Sequence, residues 1–116
     1  AVERLRDRIT PHLLISEIRT VAADDLWMSP CYKRPSVAIH FTWKQEWPAV
    51  KRLLPLIERE LSPFQPRPHW AKLFTLSPSE LRPRYEKLGD FVQLVKKYDP
   101  AGKFRNDYLN TNLFAD

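Results

Sequence analysis

The 116 residues include one cysteine, two glycines and one methionine. A single thiol, Cys31, makes no internal disulfide, so nothing points to secretion. It also excludes the paired-cysteine zinc patterns, and His12, His40 and His69 are not at metal-ligand spacing; no metal is expected. With two glycines the chain holds no GxGxxG fingerprint and no P-loop, so any nucleotide cofactor must be held mainly by residues outside it. No apolar run approaches the roughly 20 residues of a membrane span, and no signal-peptide pattern opens the chain, so a cytoplasmic location is expected. There is no nucleophile elbow and no cysteine with a nearby base. Net charge is +5, yet no block of one sign forms. Arg67, Lys72, Arg82, Arg84, Lys87, Lys96 and Lys97 read as solvated helix faces, and no nucleic-acid partner is expected. The first residue is Ala1 and not Met, which reads as a piece of a longer protein.

The composition is that of one globular domain, 43% hydrophobic and 28% charged. Eleven prolines punctuate it into short segments. Leu14–Ala23 alternates at period two and predicts a strand. Glu17 and Arg19 share one face with Ile15 and Val21; Leu14, Ser16, Ile18, Thr20 and Ala22 make the other. Ser36–Lys44 is the second strand, with Val37, Ile39, Phe41 and Trp43 opposite Ala38, His40 and Thr42. One pairing register sets Glu17, Arg19, His40 and Thr42 on a common face. The expected fold is therefore α+β: an antiparallel sheet with one polar, pocket-facing side and helices packed on the apolar side.

The remaining segments supply that cover. Ala1–Arg8 reads as the end of a helix stopped before Pro11. Asp24 and Asp25 start a turn or short helix, and Trp27, Met28 and Pro30 belong to a packed loop running to Pro35. Glu46–Leu61 carries an apolar stripe from Trp47 to Leu61, with Pro48 in its first turn and Pro55 expected to kink it or mark a second start. Phe64–Phe74 must begin extended, because Pro66 and Pro68 forbid a helix, and it delivers His69, Trp70 and Lys72 at a fixed place. Ser77–Gly89 begins with Ser-Pro and Glu80, a helix start. Leu88–Tyr98 is amphipathic, with Phe91, Leu94, Val95 and Tyr98 inward. Asp99–Gly102 is a turn, and Phe104–Phe114 a closing helix or hook.

Taken singly, the polar residues have ordinary readings. Glu17 and Arg19 make a solvated ion pair, His40 is a half-buried histidine, Thr42 is a good strand former and Lys72 is a surface lysine. Their coincidence favours a site, since both strands carry polar pairs at one period on faces whose backs are apolar.

The stretches SEIRTVAADDLWMSP (16–30), IHFTW (39–43), PRPHWAKLF (66–74) and YDPAGKFRNDYL (98–109) resemble the C-terminal portion of FAD-dependent alditol oxidases. These stand with the sugar-1,4-lactone oxidases among vanillyl-alcohol-oxidase-type flavoproteins. The resemblance implies that residues 1–116 are a portion of the C-terminal substrate domain and that FAD is held mainly by an N-terminal domain absent from this chain. It implies oxidation of the primary alcohol of a xylitol- or sorbitol-like alditol to an aldose. A hydride passes to flavin N5, then electrons to oxygen, giving hydrogen peroxide. It makes Arg19 and Lys72 catalytic. Glu17, Arg19, His40, Thr42 and Lys72 contact the polyol, and Lys72 and His69 the cofactor. The partners implied are the polyol and the flavin domain of the same protein. Ala71 departs from the pattern, where relatives commonly carry glycine. A sugar-1,4-lactone oxidase domain and a non-catalytic α+β binding module are the alternatives. On this reading the isolated chain binds no FAD tightly and has no oxidase activity. Purified alone it is expected to be colourless, and stoichiometric flavin absorbance would overturn that expectation.

Overall fold

The computed structural model describes residues 1–114. β1 (Leu13–Val21) and β2 (Ser36–Trp43) form a two-stranded antiparallel sheet. Glu17 lies opposite His40, Arg19 opposite Ala38, Ile15 opposite Thr42 and Ile18 opposite Ile39, with one register irregularity between Leu13 and Ile15. This register puts Glu17, Arg19, His40 and Thr42 on one face, as the alternation requires. Between the strands Asp24 organises a turn and not a helix. Its carboxylate accepts from Leu26 N (3.0 Å) and from Ser29 Oγ (2.5 Å), while its backbone bridges to Tyr32. Met28 and Pro30 are half-buried there, but Trp27 is exposed.

The helices follow the sequence pattern closely. α1 (Arg6–Ile9) continues a 3-10 turn and ends in another that contains Pro11. α2 (Trp47–Leu61) buries Val50, Leu53, Leu54 and Ile57, and the N-terminal turn Val2–Leu5 packs against it. Pro55 neither splits α2 nor restarts it. It lies on the exposed side, where the carbonyl of Lys51 that loses its helical donor can bond to water. α3 (Pro78–Leu81) opens with a capping box, in which the Glu80 carboxylate accepts from Ser77 N (2.8 Å) and Oγ (2.7 Å). α4 (Leu88–Tyr98) and α5 (Asp107–Leu109), which runs on into a π-type turn over Asn110–Phe114, complete the chain. Leu76, Leu81, Tyr85, Leu88 and Leu113 form a buried cluster, with Met28, Trp70, Phe74, Phe91 and Leu109 packed around it. No helix among the described residues is long and apolar enough to cross a membrane.

The α+β class stands, but two expectations of burial do not. Helices do not cover the apolar side of the sheet: Leu14, Ile18 and Val37 are 64%, 74% and 64% exposed. Phe41 and Trp43, stacked at 5.2 Å, and Leu13 opposite Trp43 are partly buried there. The stripe of α2 meets the N-terminal turn instead. Likewise Phe91 and Val95 turn inward on α4, but Leu94 and Tyr98 are exposed and line an open groove of about 430 Å³ with Phe104, Leu109 and Phe114.

Phe64 ends a 3-10 turn rather than starting an extended run, Gln65 is left-handed (φ 48°), and the stretch from there to the turn at Trp70 pairs with no strand, so its carbonyls need donors from elsewhere. They come from side chains. Arg34 Nη2 donates to Gln65 O (2.8 Å), Arg84 Nη1 to Pro66 O (2.7 Å), Tyr85 Oη to Pro68 O (2.6 Å) and Tyr108 Oη to Trp70 O (2.6 Å). Arg67 reaches outward, donating to Arg84 O (2.6 Å), Tyr32 O (2.9 Å) and Pro30 O (3.3 Å) over the ring of Tyr85. Replacing Arg67 by Ala is expected to cost about 3 kcal/mol of unfolding free energy, because several charge-assisted bonds to half-buried carbonyls are lost together. Arg67→Lys should cost nearly as much, since an ammonium cannot reproduce the fork. Denaturant unfolding of the full-length protein measures both, and a loss under about 1 kcal/mol for Arg67→Ala would show that the network carries little.

Candidate functional site

Adjacent strands bring the polar group together. Glu17 Oε1 accepts from Arg19 Nη2 at 2.8 Å, and Glu17 Oε2 meets His40 Nδ1 at 3.1 Å. One carboxylate thus serves a same-strand and a cross-strand partner, which is possible because i and i+2 share a face and Glu17 lies opposite His40. The hydrogen bond from Arg19, then that from His40, holds the Glu17 carboxyl below the usual carboxylate range. An ionised carboxylate only accepts, so His40 Nδ1 carries the proton of this bond. Neutral His40 then presents Nε2 as a lone-pair acceptor. Thr42 lies two residues along the same face, partly buried, with no side-chain hydrogen bond among the described residues. Arg19 keeps a 66% exposed side chain and therefore free N–H groups.

Lys72 and His69 come from the segment between α2 and α3 and not from the sheet. They sit at a turn in which Lys72 N donates to His69 O (3.0 Å) and Ala71 N donates to His69 Nδ1 (3.1 Å). Both side chains belong to exposed residues. No hydrogen bond or ion pair among the described residues joins them to Glu17, Arg19 or His40, and the Lys72 ammonium has no carboxylate partner. Sequence reasoning missed the side chains that hold this turn, Tyr85 and Tyr108 above all. The available signal was Pro66 and Pro68, which strip donors from a stretch whose carbonyls then need outside partners. Among the described residues no three His, Cys, Asp or Glu side chains gather as a metal site would require.

A family model described as D-arabinono-1,4-lactone oxidase matches residues 6–112. The chain belongs to that family. An alditol oxidase from a Streptomyces species is 47% identical over 97% of this chain and 27% of its own length. An L-gulonolactone oxidase from Scyliorhinus torazame is 30% identical over 98% of this chain and 28% of its own. An L-gulono-1,4-lactone dehydrogenase from Mycobacterium tuberculosis is 29% identical over 97% and 26%. The chain thus spans about a quarter of the length of the curated relatives it matches.

The chain's own groups fit FAD only in part. Gly89 lies within α4 and Gly102 in the turn after it, at φ +68° beside the Arg105 guanidinium, so neither belongs to a loop that could cradle a pyrophosphate. The unpaired Lys72 ammonium and the exposed His69 ring suit an edge contact with the ring system, and nothing more extensive.

A depressed folded-state pKa means that the Glu17 interactions favour folding above the ordinary carboxylate pKa and fade as pH falls through the lowered value. Carboxyl-carbon NMR should show Glu17 titrating below ordinary glutamates. Arg19→Ala should move the midpoint upward more than His40→Ala does. An unchanged midpoint in Arg19→Ala would remove the guanidinium as the main cause.

Proposed function

We propose that this chain is the substrate-binding portion of a flavin-dependent oxidase that converts the primary alcohol of an alditol to an aldose. The observation that carries the reading is the cluster of Glu17, Arg19 and His40 on one sheet face, beside Thr42. An uncharged polyol offers only hydroxyl groups, so recognition must come from several fixed donors and acceptors. Each buried hydroxyl left unpaired would cost about 1–3 kcal/mol. Arg19 supplies donors, Thr42 a donor and an acceptor, and His40 Nε2 an acceptor.

The reaction removes a hydride from the carbinol carbon and a proton from its hydroxyl. When bound, FAD supplies the acceptor for the hydride, and electrons pass on to oxygen to give hydrogen peroxide. Negative charge grows on the alcohol oxygen as its proton leaves. Arg19, charged at any working pH, favours that charge; His40 Nε2 accepts the proton; Glu17 fixes the His40 tautomer and holds Arg19 in place. Lys72 brings a second positive charge, paired with no carboxylate among the described residues. His69, on the same turn, is the other contact to the cofactor. The flavin domain of the full-length protein is the partner this reading requires.

The 47% identity to an alditol oxidase favours this substrate class. A sugar-lactone oxidase is the second reading, favoured by the description of the matching family and by the gulonolactone oxidase relative. Assay of the full-length enzyme on xylitol, sorbitol and an aldono-1,4-lactone separates the two. In that enzyme Arg19→Ala and Lys72→Ala are each expected to lower kcat by about 100-fold or more. The thermal midpoint should stay within about 4 °C of the parent. Loss of stability in proportion to loss of activity would argue instead for a structural module.

A further inference from the structure

Lys72 is exposed and has no ion-pair partner among the described residues, yet the Trp70–Ala71 peptide unit, one residue ahead of it, is gripped at both ends. The carbonyl oxygen of that unit is Trp70 O, which accepts from Tyr108 Oη at 2.6 Å. Its N–H is Ala71 N, which donates to His69 Nδ1 at 3.1 Å. A peptide is planar, so holding its oxygen and its N–H fixes the whole plane as far as Cα of Ala71, and the next unit is held in turn by Lys72 N, which donates to His69 O at 3.0 Å. The two bonds also polarise the same amide, which strengthens both.

Tyr108 is well placed to hold the plane. It comes from the tail, 38 residues away in sequence, so its grip closes a long loop. Asn106 Oδ1 accepts from Leu109 N (2.9 Å) and Asn112 Nδ2 donates to Tyr108 O (2.9 Å), which fix the short helix that carries it. Its ring stands edge-on to Phe74, with centroids 6.4 Å apart. Tyr108 thus touches residues on both sides of Lys72, Trp70 before it and Phe74 after it. Burial raises the pKa of its hydroxyl, which keeps the proton on the oxygen at working pH. Two other bonds to this stretch, Tyr85 Oη to Pro68 O and Trp70 Nε1 to Met28 O, involve the buried cluster and its immediate shell. Tyr108 is 39% exposed, so its hydroxyl can be removed without opening the core.

We infer that Tyr108 is a positioning residue, which sets the direction of the Lys72 side chain through the Trp70–Ala71 peptide plane. It touches neither substrate nor cofactor. The inference rests on the role proposed above for Lys72.

The test uses the full-length, FAD-loaded enzyme and Tyr108→Phe, which keeps the ring against Phe74 and deletes only the hydroxyl. Native-state amide exchange at Ala71 and Lys72 should speed up about tenfold, while Leu53 and Leu54 in α2 stay unchanged. The value of kcat/KM should fall about tenfold, with the thermal midpoint held within about 4 °C. In a Lys72→Ala background the same change should cost nothing further, because its effect passes through the missing ammonium. Unchanged exchange at Ala71 and Lys72 would overturn the inference, as would a full additional penalty in the Lys72→Ala background. If Lys72→Ala alone leaves turnover intact, the proposed role of Lys72 fails, and the exchange rates still decide whether Tyr108 holds the turn.

Discussion

Side-chain donors bonded to main-chain carbonyls hold this fold together. Pro66 and Pro68 remove two backbone donors from a stretch that pairs with no strand, so its carbonyls would face a partly buried environment unpaired. Arg34, Arg84, Tyr85 and Tyr108 meet them, and Arg67 returns the pattern by donating to carbonyls of the loop between the strands and of the turn before α4. Carbonyl dipoles partly neutralise the half-buried guanidinium of Arg67, and the face of Tyr85 lies under it. Burial still pulls the pKa of Arg67 below the ordinary guanidinium value, though far from where it would lose its charge. The sheet connection, the turn at Tyr85 and the tail are thereby tied to one irregular stretch of chain.

That tie matters because the hairpin has little other support. A lone two-stranded hairpin is at best marginally stable in water. β1 and β2 leave Leu14, Ile18 and Val37 bare on one side, an apolar surface that water disfavours. Two anchors limit the freedom of the hairpin. At one end Lys44 N donates to His12 O and the His12 ring pairs with Glu46, which joins β2 to the segment before β1. At the other, Arg67 and Trp70 bond to carbonyls of the connection between the strands. The polar face between these anchors keeps its geometry although neither sheet surface is packed by a helix.

Local patterns were legible where a segment's own periodicity decides its structure. The alternation in SEIRT and IHFTW placed Glu17, Arg19, His40 and Thr42 on one face, and the pairing of the strands agrees. The bounds of α4 and the capping box before α3 follow from short-range signals of the same kind. What was not legible depends on distant partners. An apolar stripe says that something covers it, not what: the stripe of α2 met the N-terminal turn and left the sheet bare. Leu94 and Tyr98 share the apolar side of α4, yet one helix cannot bury that whole side against so small a core. The bonds to the carbonyls of Gln65 to Trp70 join residues 17 to 38 positions apart, beyond any spacing rule.

The charges of the proposed site suit a neutral substrate that becomes negative as it reacts. Glu17 and Arg19 cancel at 2.8 Å, so the sheet face by itself presents hydrogen-bonding groups with little net field. A neutral polyol can bind there without displacing an ion. Lys72, which has no such partner, leaves the combined set with an excess of one positive charge when His40 is neutral. A cation that acts only weakly on the neutral alcohol and strongly on the developing oxyanion lowers the barrier more than it tightens ground-state binding. On the proposed reading Arg19, tethered by Glu17, orients hydroxyls and favours the developing charge on the alcohol oxygen, and the excess charge of Lys72 would add to that stabilisation. The addition from Lys72 demands a fixed direction from a flexible side chain, which is why the rigidity of the turn beneath Lys72 matters as much as the charge itself.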